Sequence, residues 1–146
     1  MISLRHFEKR DIPVLKEHYF KDKTTDEIDI IVNDMQKLEH DGKYFEMFAV
    51  CNNDIPVGSI SLYQHSGYII SIGPIIYHKF RCKGYAYEGM KLAINLAKDK
   101  GYKIVSAQIK KDNTASINLH QKLGYLLDGE YINRKGNEVY IYLKLL

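Results

Sequence analysis

Apolar positions change their period along the chain, and each change marks an element. "ISLRHF" (2–7) alternates with period two and predicts a first strand. Asp11 as a cap and Pro13 in the first turn predict a helix running to about Phe20. In "TTDEIDIIVNDMQKLEHDG", Ile28, Ile31, Met35 and Leu38 fall on one helical face, with Thr25 as the cap and Gly42 as the stop. "YFEMFAVC" and "VGSISLYQH" read as strands, joined into a hairpin by the turn "NNDIP". "YIISIGPIIYH" is a long apolar strand interrupted by Gly73 and Pro74. A proline inside a sheet donates no ladder bond, so Pro74 predicts a bulge or an edge. Met90, Ala93, Ile94 and Ala97 recur at helical spacing and stop at Gly101. "KIVSAQIK" reads as a buried strand, and "DNTASINLHQKLG" as a helix capped by Asp112 or Asn113 and closed by Gly124. "YLLDGEYIN" and "EVYIYLKLL" are two last strands around a turn at "RKGN".

The order β-α-α-β-β-β-α-β-α-β-β predicts an α/β (α+β) fold, a mixed sheet with about four helices on its faces. No repeat, low-complexity tract or linker divides the chain, so 1–146 reads as one domain, long enough to bury a core without disulfides. No apolar run is long enough to span a membrane. "MISLRHFEKRDI" lacks a signal peptide's apolar stretch, which predicts a cytoplasmic protein. Cys51 and Cys82 have no metal-ligand spacing and read as reduced thiols; no metal site is expected. The net charge of +3 argues little for nucleic acid. Charge is unevenly placed, however. Asp22, Asp26, Glu27, Asp29, Asp34, Glu39 and Asp41 face only Lys23 and Lys37 within their segment. That segment is either a solvated helix face or an attraction for a cationic substrate.

The stretch "FRCKGYAYEGM" (80–90) carries the first chemical signal. A strand that runs through a glycine-bearing loop into a helix exposes free backbone N–H groups, and the helix dipole adds positive charge there. Gly84 lets a phosphate approach the backbone, Ala86 stays small, and Lys79, Arg81 and Lys83 add charge. Neither the triphosphate G-x-x-x-x-G-K-[ST] loop nor the dinucleotide G-x-G-x-x-G fingerprint is present.

Arg81-Cys82-Lys83-Gly84-Tyr85-Ala86 resembles the Q/R-x-x-G-x-G/A pyrophosphate motif of the GNAT superfamily of acyl-CoA-dependent N-acetyltransferases. "NTASINLHQKLGY" (113–125) resembles the second signature of that family, and the two stand in the family's order. The likeness covers nearly the whole chain, is weakest before about Tyr44, and looks nearest to the branch of ribosomal-protein N-terminal alanine acetyltransferases. It implies a mostly antiparallel seven-stranded sheet split between its fourth and fifth strands. It implies acetyl-CoA as the cofactor, with the backbone of Arg81, Cys82, Lys83, Gly84, Tyr85, Ala86 and Tyr87 around its pyrophosphate. Ile75 and Ile76 would flank the pantetheine, the Ile76 N–H would polarise the thioester carbonyl, and Asn113 would contact the cofactor. Pro74 departs from the pattern, because relatives with an ordinary residue there have one more N–H.

The same resemblance makes His120 or Ser116 the group that protonates the leaving thiolate, with water as the alternative. A base is needed as well, since a free alkyl amine is mostly protonated at neutral pH. Many relatives carry a glutamate on the split strand, but Tyr68-Ile69-Ile70-Ser71-Ile72 holds no carboxylate. His65, Glu46, Tyr63 and Glu130 are the substitutes, unranked. The expected reaction is acetyl transfer to a primary amine, a small molecule or a protein N-terminus, by direct attack. Two other readings are a non-catalytic acyl-CoA sensor and a plain nucleotide-binding domain. The chain is expected to work as a monomer or homodimer.

Overall fold

The computed structural model describes all residues, Met1–Leu146. The strands are β1 (Ile2–Arg5), β2 (Glu39–His40), β3 (Lys43–Asn52), β4 (Ile55–Gln64), β5 (Ile69–Ile76), β6 (Ile104–Lys110), β7 (Leu126–Ile132) and β8 (Glu138–Leu145). The helices are α1 (Ile12–His18), α2 (Thr25–Asp34), α3 (Tyr85–Asp99) and α4 (Thr114–Lys122). The sheet order is β1-β3-β4-β5-β6-β8-β7, with the two-residue β2 on β3 as an eighth strand beyond the seven expected. All pairings are antiparallel except β5 with β6. No helix is long and apolar enough to cross a membrane.

Two apolar layers hold the helices to the sheet. Ile60 and Leu62 of β4, Ile70 and Ile72 of β5 and Val105 of β6 pack with Met90, Ala93, Ile94 and Ala97 of α3. Leu119 and Leu123 bring α4 to the same core. On the opposite face, Leu15 of α1 and Ile28 and Val32 of α2 meet Ala49 and Cys51 of β3. Period-two alternation along the strands separates the two layers. Arg5 ties the start of α1 down. Its guanidinium donates to both Asp11 oxygens at 2.7 and 2.9 Å and to Asp54 at 2.8 Å. Asp11 therefore serves as an ion-pair partner and not as the side-chain cap expected of it.

Helix α2 is shorter than its apolar period suggests. Thr24 is the cap, in a reciprocal capping box with Glu27, one residue before the expected Thr25. The Gln36 and Lys37 N–H groups turn back three residues, to Asn33 and Asp34. That tightening ends the helix, and Leu38 is left half exposed outside it.

The split lies between β5 and β6, the fourth and fifth of the seven expected strands. Their ladder covers only Ile69–Ser71 against Ile104–Ser106. Beyond it, Ile72–Ile76 keeps its β4 partners, while Ala107–Lys110 keeps only β8. Tyr68 O accepts from Lys103 and Ile104, and Tyr77 N–H donates to Val57 O at 2.9 Å. Strand alternation then turns the backbone of Ile70, Ile72, Pro74 and Ile76 toward β6 and that of Gly73 and Ile75 toward β4. Pro74 thus withholds its N–H from the β6 side, where the ladder has already ended, and costs β4 nothing. The register of β4 with β5 runs unbroken from Gly58↔Ile76 to Gln64↔Ile70. Of the two possibilities for Pro74, the structure has the edge and not the bulge. Gly58 allows this close pairing, because a Cβ there would meet Ile75 O at 2.2 Å.

Candidate active site

The loop after β5 turns through Cys82 (φ 63°) and Gly84 (φ 82°), both left-handed, and Gly84 caps α3. The first backbone donor to find a carbonyl in the new helix is Glu88 N–H, to Gly84 O at 3.1 Å. Before it, the N–H groups of Cys82, Lys83, Gly84, Tyr85, Ala86 and Tyr87 have no acceptor within the protein. These donors, at the positive end of a fifteen-residue helix, form a set suited to an anion. Nothing lies within 4 Å of a Cβ built on Gly84, so the donors open outward. The Arg81 Nε–H donates to Ile76 O at 3.0 Å and so ties the loop to the free edge of β5. Tyr85 OH accepts from Asn52 at 3.1 Å, and Lys91 and Lys122 lie over the Tyr87 ring.

The split itself is a cavity of about 400 Å³. Gly73 and Pro74 form one wall, Gln108 and Ile109 the other, and Ser116 and His120 of α4 close one end. Asn113 caps α4, its Oδ1 accepting from Ser116 N–H at 3.1 Å, so its amide NH₂ remains as a donor. His120 is buried, with its ring edge-on to Tyr125 at 4.7 Å. Its Nδ1 lies 2.8 Å from Ser116 O and 3.4 Å from Ser116 Oγ. A carbonyl only accepts, so Nδ1 carries the proton, and in the neutral ring Nε2 is bare. Burial pushes the imidazole below its ordinary pKa, and the bond to Ser116 O offsets only part of that.

The burial of His120 links its protonation to stability. The folded pKa lies below the unfolded one, so the unfolded chain binds a proton first on acidification. The contribution of His120 is full above about pH 6.5 and is lost as the pH falls below it. His120→Asn should therefore narrow the loss of melting temperature between pH 7.5 and 5.5. An equally large loss in the variant would free His120 of this role.

At the other end of the slot the candidate base His65 meets a pair of serines that the sequence did not single out. His65 Nε2 is 2.6 Å from Ser71 Oγ, which donates to Ser106 O at 2.9 Å and lies 3.3 Å from Ser106 Oγ. Ser71 and Ser106 are register partners across the last rung of the β5–β6 ladder. Each is a lone serine in an apolar run, which was the only signal available in the sequence. Of the four substitute bases, His65 and Tyr63 line the slot. Glu46 does not line it: its buried carboxylate is held by His6 at 2.5 Å and by the Tyr44 hydroxyl. Glu130 does not either, and pairs with Lys111 at 2.9 Å. Ile75 turns away from the slot into an apolar chamber on the α1–α2 face.

Comparison with known proteins agrees with this architecture. Residues 2–126 match the family model described as an acetyltransferase (GNAT) domain. No curated protein sequence matches the chain. Among solved structures, a RimL ribosomal L7/L12 alpha-N-protein acetyltransferase in complex with coenzyme A superposes with a TM-score of 0.84 at 15% identity, over 99% of this chain and 94% of that one. The putative acetyltransferase yncA from Salmonella typhimurium, with its cofactor acetyl-CoA, gives 0.72 at 18% over 99% and 94%. A chimera of the spermidine N-acetyltransferase SpeG from Vibrio cholerae and hSSAT gives 0.75 at 17% over 98% and 95%. At these identities the likeness is one of fold.

Proposed function

The chain belongs to the GNAT acetyltransferase family, and from that premise we propose that it moves acetyl from acetyl-CoA to a primary amine by direct attack in the β5–β6 slot. The observation that carries this reading is the run of unpaired N–H groups from Cys82 to Tyr87 at the mouth of that slot. They suit the pyrophosphate of CoA, and Asn113 offers an amide donor across the gap. Similar folds in complex with CoA and acetyl-CoA support the choice of cofactor. With the pyrophosphate there, the pantetheine lies along Ile75 and Ile76, and the Ile76 N–H donates to the thioester oxygen as it gains charge.

The amine nitrogen attacks the carbonyl carbon. A C–N bond forms, the C–S bond breaks, and coenzyme A leaves as a thiolate. For the transfer the Ser71 hydroxyl turns from Ser106 O to a bare His65 Nε2; the amine's surplus proton then passes to Ser71 Oγ while the Ser71 proton passes to His65 Nε2, across their 2.6 Å contact. The Ser116 hydroxyl donates a hydrogen bond to the departing sulfur, and water supplies the thiol proton. His120 holds its proton on Nδ1 against Ser116 O, so it positions Ser116 and is not the acid at neutral pH.

Ser116→Ala should lower kcat roughly tenfold at saturating acetyl-CoA, which is one charge-assisted hydrogen bond. His120→Asn keeps an amide donor and should lose less. The reverse order would make a protonated His120 the acid. Release of CoA thiol across a panel of primary amines tests the reaction as a whole. The slot is lined by no carboxylate, which favours a second reading, a non-catalytic acyl-CoA sensor. Acetyl-CoA binding in calorimetry without thiol release from any amine would select it.

A further inference from the structure

A second cavity abuts the slot on the α1–α2 face of the sheet. Its volume is about 360 Å³, within the range of small-molecule sites. Tyr19, Ile31, Met35 and Met47 are among its walls, and ten of its twelve lining residues are apolar. Such a surface desolvates hydrocarbon and offers little to a multiply charged ligand. Tyr19 and Ile75 are partly exposed at its rim, so the chamber is open to entry.

Strand geometry joins the chamber to the slot. Ser59 and Ile75 line the chamber and are register partners. Ser61 and Gly73, the next pair on the same face, line the slot. Two residues of strand separate the pairs, roughly 7 Å. One molecule can therefore fill the chamber and extend a short arm to Gly73 and Pro74. Tyr77, which lines the chamber, is buried, and its hydroxyl has no hydrogen-bond partner within the protein. It is a polar handle set in an apolar wall.

Of the acidic segment, Asp34 alone lines the chamber; Asp29, whose Oδ1 is buried without a hydrogen-bond partner, is not among its walls. Glu27 is engaged in its capping box, and Asp22 and Asp26 are exposed. Lys37 already pairs with Asp34 at 3.3 Å.

We infer that this chamber binds the apolar body of the acceptor, so that the substrate is a primary amine carried on a ring-sized hydrophobic group and not a polyamine. The inference rests on the acetyl-transfer reading and names the acceptor class for the same site. A small arylalkylamine and a peptide with an apolar N-terminal residue share this chemistry.

The test follows CoA release from acetyl-CoA with phenylbutylamine, propylamine, spermidine and a peptide with an N-terminal phenylalanine. The phenyl-bearing amines should exceed propylamine and spermidine at least tenfold in kcat/KM. Whichever of the two phenyl sources is used better identifies the origin of the acceptor. Met35→Trp and Ile31→Trp, each checked for an intact melting transition, fill the chamber from different positions. Each should raise KM at least tenfold more for phenylbutylamine than for propylamine. Equal or better use of spermidine would overturn the inference. So would variants that impair octanoyl-CoA instead of the amine, since the chamber would then hold an acyl chain.

A binding readout separates this inference from the reaction. The chain has no tryptophan, so Phe20→Trp places a single reporter beside the chamber. Its emission should shift saturably with phenylbutylamine and stay constant with spermidine. A shift without CoA release from any amine would keep the chamber and refute transfer. CoA release with a silent reporter and no apolar preference would keep transfer and refute the chamber.

Discussion

Gly84→Asp should weaken acetyl-CoA binding more than a hundredfold while leaving the fold intact. Gly84 caps α3 in the left-handed region, and a Cβ there meets nothing within 4 Å. Aspartate tolerates that conformation better than most residues and is among the best helix caps. Its carboxylate would accept from the N–H groups of Ala86 or Tyr87 and complement the helix dipole. The variant should therefore keep its melting temperature to within a few degrees. Those same donors form the centre of the proposed pyrophosphate site. A carboxylate among them both occupies them and repels the ligand. Two unit charges about 4 Å apart near a protein surface interact by about 4 kcal/mol, roughly a thousandfold in affinity. Gly84→Ala separates the two effects, because it brings the backbone strain without the charge and should cost far less affinity. Calorimetry with acetyl-CoA on the three proteins decides the matter. Retained affinity in Gly84→Asp would place the pyrophosphate elsewhere.

This site was legible in the sequence because it is local. One short run of chain supplies the glycine, the helix start and every unpaired N–H. The buried face of α3 was legible for the same reason, since Met90, Ala93, Ile94 and Ala97 repeat within one helix. The split was legible by resemblance, and Pro74 is compatible with it, because the ladder has already ended at Ser71. A residue without an N–H cannot extend a ladder toward β6.

What escaped the sequence depends on register between distant segments. Ser71 and Ser106 meet because Ile69–Ser71 aligns with Ile104–Ser106 across the intervening α3. Neither serine announces its partner, and a one-residue slip would turn both to the other face. His65 joins them from the turn after β4, where no periodicity operates. Glu46 looked as eligible as His65, and only the folded chain reveals that its carboxylate is already occupied by His6 and Tyr44. The end of α2 failed differently. The apolar period ran on to Leu38, but backbone bonds at Gln36 and Lys37 closed the helix first. Period reports which face a helix would bury, not where the chain leaves it.

His65→Ala should lower kcat/KM about a hundredfold near neutral pH, the usual scale for removing a positioned base. The amine must shed a proton to attack, and no carboxylate lines the slot to take it. His65 lines the slot with its Nε2 held against Ser71 Oγ, so on this relay Ser71→Ala should reproduce most of the loss. The two changes act on one relay, and the double variant should be little worse than either single one. The pH dependence distinguishes this role from a structural one. If His65 takes the proton, its removal moves the acid-side limb of the kcat/KM profile to higher pH, toward the deprotonation of the free amine. Raising the pH then recovers activity, because the free amine no longer needs a base. Ser71→Cys or Ser71→Thr, which keep a proton on the bridging atom, should restore part of the rate that Ser71→Ala loses. Binding of acetyl-CoA should be unchanged in all of these variants, since its proposed anion site begins at Cys82, beyond the far end of β5. A double variant whose losses multiply, or an acid limb that stays in place in His65→Ala, would break the relay and leave Tyr63 as the remaining candidate in the slot.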